Sequence, residues 1–263
     1  MSSMASAETT ETSLPIAIQL QRGRAYGFFA AVMEYPEGEL AGMIRAGDIA
    51  SQGRQLFCEI YPELETAIDW KALADAGTDD ELSIEYTRLF DVGGTDGPPC
   101  CLNSGAANSD ARMSMLEELV RFYNYFGLTS GDTPGNELPD HLTTQFEFMY
   151  YLCNQEGECQ QAGETADDYL RAQRDFLQRH PGQWVPLLNS RMQEHKAPAY
   201  YRALGELMQD FIQLEQKHLE SLVSQLSEPL PHEEPAEAIA SPIAPSKGTG
   251  VPTSVITIHR KPH

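Results

Sequence analysis

Apolar residues recur at three- and four-residue steps along most of the chain, the period of an α-helix with one buried face. From Ile16 to Tyr35 the recurring positions are Leu20, Ala25 and Tyr26, Phe28 and Phe29, and Val32 and Met33, with Pro36 as the stop. Helical stretches follow over Glu37–Arg45 and over Asp48–Ile60, the second with Asp48 placed to cap it. Asp79-Asp80-Glu81 opens a strong helix in which Leu82, Tyr86, Leu89 and Phe90 share a face. Its carboxylates suit the positive end of the helix dipole. The helix stops near Val92, because Gly93-Gly94-Thr95-Asp96-Gly97-Pro98-Pro99 is loop chemistry.

The next helix runs from a cap at Ser109 or Asp110 to Phe126, with Met113, Leu116, Leu119, Val120 and Tyr123 inward and Gly127 at its end. After a loop over 127–137, Pro139 suits the first turn of a helix whose stripe is Leu142, Phe146, Met149, Tyr150 and Cys153. Two more span Thr165–Arg179 and Gln183–Glu194. The cleanest is Tyr200–Leu226, carrying Leu204, Leu207, Met208, Phe211, Leu214, His218 and Leu222. No strand pair and no βαβ rhythm is evident, and the most β-like run is Ser254–Ile258. The predicted fold class is all-α, a single helical bundle of about 8–11 helices with short connections and antiparallel neighbours.

Three regions follow from composition. Residues 1–15, mostly Ser, Thr, Ala and Glu, are expected to be a disordered lead, and 16–227 the helical domain. Residues 228–263 form a Pro-rich, flexible extension carrying Pro229, Pro231, Pro235, Pro242, Pro245, Pro252 and Pro262. Its end, Val255-Ile256-Thr257-Ile258-His259-Arg260-Lys261, is apolar and then basic, which suits docking on an acidic surface.

Charge narrows the function. A formal net charge of -21 argues against nucleic-acid binding, which needs a basic footprint. It favours encounter with cationic partners. No run approaches the roughly 18 uninterrupted apolar residues of a spanning helix, so no membrane insertion is expected. The N-terminus lacks the basic start and apolar run of a secretory signal, which predicts a cytoplasmic protein. Five cysteines, an odd number in a long chain, fit reduced thiols better than a disulfide framework.

Catalytic and metal motifs do not emerge. The glycines at 93, 94 and 97 follow a helix and have no nearby lysine, so they do not form a phosphate-binding loop. There is no HExxH and no CxxC, and Cys153 with Cys159, one expected inside a helix and one past its end, lack two further ligands. Cys100-Cys101 has no basic neighbour in sequence to lower a thiol pKa. No catalytic residue, no bound metal and no resident cofactor is expected. Asp140-His141 at a helix start is most simply a cap beside an incidental histidine.

Three segments together carry a resemblance. The first is Glu85-Tyr86-Thr87-Arg88-Leu89-Phe90 followed by a loop ending Pro98-Pro99. The second is Phe122-Tyr123-Asn124-Tyr125-Phe126-Gly127-Leu128, then Leu138-Pro139-Asp140-His141-Leu142, then Phe146-Glu147-Phe148-Met149-Tyr150-Tyr151-Leu152. The third is Phe176-Leu177-Gln178-Arg179-His180, then Trp184-Val185-Pro186 and Tyr200-Tyr201-Arg202-Ala203-Leu204. In this order they resemble the TorD/DmsD/NarJ family of redox-enzyme maturation proteins, over roughly residues 20–226. In style the chain is similar to the accessory chaperones of periplasmic type II molybdoenzymes.

The resemblance implies an all-α, non-enzymatic chaperone. It implies binding to the apo catalytic subunit of a molybdopterin oxidoreductase, commonly through its twin-arginine signal peptide, until the cofactor has been inserted. It implies a monomer or a domain-swapped dimer. By matching position, Tyr86, Leu89 and Phe90 correspond to the hydrophobic part of the peptide pocket, and Asp140 and His141, preceded by Pro139, to its polar part. Pro99 corresponds to the flanking loop proline and Tyr26 to a position on the first helix. Two departures stand out: proline sits directly before Asp140, and Cys100-Cys101-Leu102 replaces the family's usual loop residues. The residues alone leave a competing reading, a general α-helical scaffold or adaptor without such a client.

Overall fold

The periodicity condenses into α-helices because each apolar stripe finds a partner. A computed structural model describes residues 16–93, 97–107, 112–130, 138–226 and 258–260. Among them are eleven α-helices. In the first part of the chain these are α1 (Ile16–Val32), α2 (Gly38–Ala46), α3 (Asp48–Ile60), α4 (Leu64–Ala67), α5 (Trp70–Leu73) and α6 (Asp79–Tyr86). The rest are α7 (Arg112–Tyr125), α8 (Leu142–Ala162), α9 (Asp167–Arg179), α10 (Pro181–Glu194) and α11 (Ala199–Ser224). The all-α expectation holds.

The centre is aromatic. Phe29 of α1, Phe57 of α3, Phe146 of α8 and Phe211 of α11 are all fully buried. Phe29 lies 4.8 Å from Phe57 and 5.6 Å from both Phe146 and Phe211, ring centre to ring centre. Tilted ring pairs of this kind are worth about 0.5–1.5 kcal/mol each beyond the area they bury. A second cluster joins Phe122 and Tyr123 of α7 to Phe148 of α8 and Phe176 of α9, with Phe148 and Phe176 4.7 Å apart.

Several boundaries differ from the sequence pattern for identifiable reasons. Gly47 occupies the left-handed region (φ 76°), ends α2 and serves as N-cap of α3, so Asp48 is the first helical residue and not the cap. Thr78 caps α6 in a capping box with Glu81. The expected helix through Val92 ends as an α-helix at Tyr86 and continues as one π-helical turn, Thr87–Asp91. Pro139 does not enter α8; it lies in the turn ahead of it, and His141 is the N-cap. Cys159 lies within α8, not beyond its end.

The inward face of α7 agrees with expectation at Leu119 and Tyr123 and departs from it at Met113 and Val120. Leu119 and Tyr123 are buried, with Met115 and Phe122 packed beside them, while Met113 and Val120 are exposed. The aromatic pair Phe122–Tyr123 wins over the methionine and valine because it meets Phe148 and Phe176.

One short strand pair was not anticipated. β1 (Leu128–Ser130) pairs antiparallel with β2 (Ile258–Arg260), with Thr129 opposite His259. The β-like run Ser254–Ile258 overlaps β2 only at Ile258, and the lead 1–15, the cap candidates Ser109 and Asp110 and most of the extension lie outside the described residues. No helix of the described residues is long and apolar enough to cross a membrane.

Candidate functional site

The segments that carry the motifs meet around the loop 97–107. A π-turn alters backbone hydrogen bonding at its end, and here the Leu89 carbonyl accepts from the Cys100 amide at 2.8 Å. That bond brings Pro98-Pro99 back against the turn holding Leu89 and Phe90. The same loop reaches the start of α8: Leu142 N–H donates to the Leu102 carbonyl and Ser104 N–H to the Asp140 carbonyl, both at 2.9 Å. Asn103 and His141 form an isolated antiparallel bridge between them.

Side chains complete the junction. Tyr123 O–H donates to the Pro139 carbonyl at 2.8 Å. Gln145, fully buried in the first turns of α8, donates to Ser104 Oγ at 3.1 Å and to the Asp140 carbonyl at 3.0 Å. Its own oxygen accepts from the Trp184 indole at 3.2 Å. Tyr201 O–H donates to the Leu82 carbonyl at 3.2 Å, and its ring lies 5.4 Å from Phe90. Much of the aromatic and Pro-rich motif content thus serves as stitching between α6, the loop, α8, α10 and α11.

Asp140 is the most constrained of the expected site residues. Its side chain is fully buried. One carboxylate oxygen accepts from Asn103 Nδ2 at 3.0 Å and the other from the Gly105 amide at 3.1 Å. Arg112, at the start of α7, places Nη2 3.7 Å from the second oxygen. His141 is half-buried; its Nδ1 lies 2.7 Å from Thr143 Oγ1 and accepts from the Thr143 amide at 3.4 Å, the cap that opens α8. The capping reading of the Asp-His pair and its place in the motif junction therefore describe one arrangement.

The apolar candidates divide by depth. Leu89 is fully buried, and Tyr86 and Phe90 nearly so, with Tyr86 O–H donating to the Met33 carbonyl at 2.9 Å. Pro99 and Pro139 are half-buried, and around the junction Leu138 (51%) and Val92 (62%) are exposed. Tyr26 is elsewhere. It is fully buried beside Phe146 and Phe211, and its hydroxyl donates to Glu215 at 3.0 Å.

That glutamate belongs to a buried polar network absent from the motif pattern. Arg22 of α1 makes two 2.8 Å bonds to the Glu215 carboxylate of α11, one to Gln173 of α9 at 2.9 Å, and a longer one of 3.3 Å to Glu156 of α8. Tyr61 O–H donates to Glu215 at 2.5 Å. Burial pushes the Glu215 carboxyl up, but Arg22 and the hydrogen bonds from Arg22 and Tyr61 hold it below the usual carboxylate range. Its signal was present in the sequence: Gln19, Arg22, Tyr26, Phe29 and Met33 step along one face, as do Leu204, Met208, Phe211, Glu215 and Leu219. Opposite charges on two apolar stripes mark a buried pair.

Burial pushes Cys58 and Cys100 up to about 11, and Cys153 is raised by burial as well. Among the described residues no group of three or more His, Cys, Asp or Glu is arranged to hold a metal ion.

Comparison with known proteins places this architecture. The family model of the nitrate reductase delta subunit matches residues 53–190, about half of the chain. The selenate reductase assembly chaperone protein of Thauera selenatis is 32% identical over 188 residues, covering 68% of this chain and 90% of that protein. The chlorate reductase assembly chaperone protein of Ideonella dechloratans is 32% identical over 157 residues, covering 57% and 79% respectively. The perchlorate reductase assembly chaperone protein of Dechloromonas aromatica is 37% identical over 116 residues, 44% of this chain and 50% of that protein. No solved structure is significantly similar.

Proposed function

This chain belongs to the nitrate reductase delta subunit family, and from that membership we propose that it is a non-enzymatic assembly chaperone for a molybdenum-containing reductase. Its client is the apo catalytic subunit, which it holds in the cytoplasm while the molybdopterin cofactor is inserted and before export. The observation that carries this reading is the 32% identity spanning 90% of the selenate reductase assembly chaperone.

The geometry supports a recognition surface at the loop junction. Pro99, Pro139 and His141 line its rim, with Leu138 and Val92 adding exposed apolar area. Tyr86, Leu89 and Phe90 are the buried apolar residues that the Leu89–Cys100 backbone bond ties to this loop. A twin-arginine signal is basic and then apolar, so its arginines would be drawn to Asp140 and the acidic body and its apolar stretch to the rim. Tyr26 acts from the core, by holding α1 against α11.

The test is affinity capture of the tagged protein from its native cells, with captured proteins identified by mass spectrometry. Recovery of a molybdopterin oxidoreductase catalytic subunit with its signal intact is the expected result. Recovery of only the processed, cofactor-loaded subunit, or of no such subunit, would overturn the reading.

A further inference from the structure

Arg112 sits where a client arginine is expected to sit. Its Nη2 is 3.7 Å from Asp140 Oδ2, and the Arg112 side chain is 40% exposed while that of Asp140 is fully covered. The aliphatic stem does the covering. A Cβ placed on Gly105 would meet Arg112 Cγ at 2.7 Å and Asp140 Oδ2 at 2.8 Å, so the stem, the glycine and the carboxylate oxygen converge on one point.

The contact is weakly made. At 3.7 Å it is longer than a charge-assisted hydrogen bond, and Arg112 Nε is buried with no hydrogen-bond partner among the described residues. Asn103 and Gly105, by contrast, hold Asp140 with ordinary 3.0 and 3.1 Å bonds that fix its orientation without neutralising it. A rigidly held carboxylate is thus closed by one loosely bonded, half-exposed arginine.

We propose that Arg112 is a displaceable internal plug: it occupies Asp140 in the free chaperone and yields the carboxylate to a guanidinium of the client. The inference rests on the reading of Asp140 as the acceptor of a client arginine. The plug neutralises Asp140 between clients and sets a threshold that a single weakly placed basic residue does not pass. Two adjacent arginines followed by an apolar run do pass it, because rim contacts add to the exchange.

The test is calorimetric titration of the full-length protein with a synthetic peptide carrying two adjacent arginines followed by an apolar run. Arg112→Ala should bind roughly two- to fivefold more tightly than the unaltered protein, the equivalent of one partly exposed ion pair. Asp140→Asn, with its helical circular dichroism intact, should bind at least as much more weakly. Equal or weaker binding by Arg112→Ala, with Asp140→Asn still impaired, overturns the plug and leaves the reading of Asp140 standing. Unaltered binding by a folded Asp140→Asn, or no binding by any of the three proteins, overturns that reading and the plug with it. Circular dichroism and the unfolding midpoint of Arg112→Ala are measured beside its titration, so its result is interpretable even if Asp140→Asn fails to fold.

Discussion

Arg22 and Glu215 are 193 residues apart in sequence and joined by two 2.8 Å hydrogen bonds with no solvent access to either side chain. The fork of the guanidinium meets both carboxylate oxygens, so the pair fixes the rotation of α1 about α11 as well as their separation. Burial works against both charges, and the attraction of Glu215 still leaves Arg22 firmly protonated. Removing one partner leaves the other charged and buried. Glu215→Ala should therefore lower the free energy of unfolding by about 3–5 kcal/mol, measured by urea titration. Replacing all three charges, Arg22→Met with Glu215→Leu and Glu156→Gln, should recover most of that loss; an equal loss in the triple variant would show that the network contributes by more than mutual neutralisation.

How much of this was legible beforehand depends on which force placed each residue. The helices were legible because apolar burial at period 3.6 is local information, and Phe29, Phe146 and Phe211 were all on predicted stripes. The face of α7 was legible only at Leu119 and Tyr123, because Met113 and Val120 are as apolar as Met115 and Phe122; only the meeting with Phe148 and Phe176 decides between them. At the candidate site the pieces were visible as motifs, but their junction through the Leu89–Cys100 and Leu102–Leu142 backbone bonds was not, since backbone pairing of a loop leaves no side-chain signature. Arg112 as a partner of Asp140 was likewise invisible, being an ordinary surface-type residue 28 positions away.

His180 gives the fold an acid limit. It is 3% exposed, lies against Phe122 and Phe176, and its Nε2 has no hydrogen-bond partner among the described residues, with Glu118 Oε1 3.9 Å away. Burial, reinforced by the nearby Arg179 cation, pushes its pKa down to about 4. The unfolded chain takes up this proton near pH 6.5 and the folded chain only near 4, so the contribution is intact above about pH 6.5 and falls away as pH drops toward 4. The whole contribution is on the order of 3 kcal/mol. Unfolding midpoints measured from pH 7.5 to 4.5 should decline through that window, and His180→Phe should flatten the decline. An unchanged slope in the variant would assign the acid sensitivity elsewhere.

Gly105 should not tolerate a side chain. Its virtual Cβ comes within 2.8 Å of Asp140 Oδ2 and 2.7 Å of Arg112 Cγ. The arginine stem can swing aside, but the carboxylate is pinned by Asn103 and by the Gly105 amide itself. Gly105→Val should cost about 1–3 kcal/mol by overpacking. It should also reduce capture of the client subunit more than a stability loss of that size produces elsewhere. A core substitution of matched cost, such as Leu204→Val on α11, is the control; equal client capture by the two variants would remove the loop junction from the recognition surface.

The pairing of β1 with β2 predicts a local effect of shortening the chain. Leu128–Ser130 follows α7 directly, and its backbone is matched residue by residue to Arg260, His259 and Ile258. A three-residue ribbon is too short to be stable by itself, so its protection depends on the strand being present. Removing residues 258–263 unpairs the backbone groups of β1 and removes a strand that also lies beside α8. Hydrogen exchange followed by mass spectrometry should then show faster exchange in peptides covering Leu128–Ser130, with exchange in α11 unchanged. Unaltered protection at 128–130 would mean that β1 is held by its packing beside α7 alone. Faster exchange spreading into α7 would mean instead that the ribbon anchors the C-terminal end of that helix, and with it the placement of Phe122 and Tyr123 against α8 and α9.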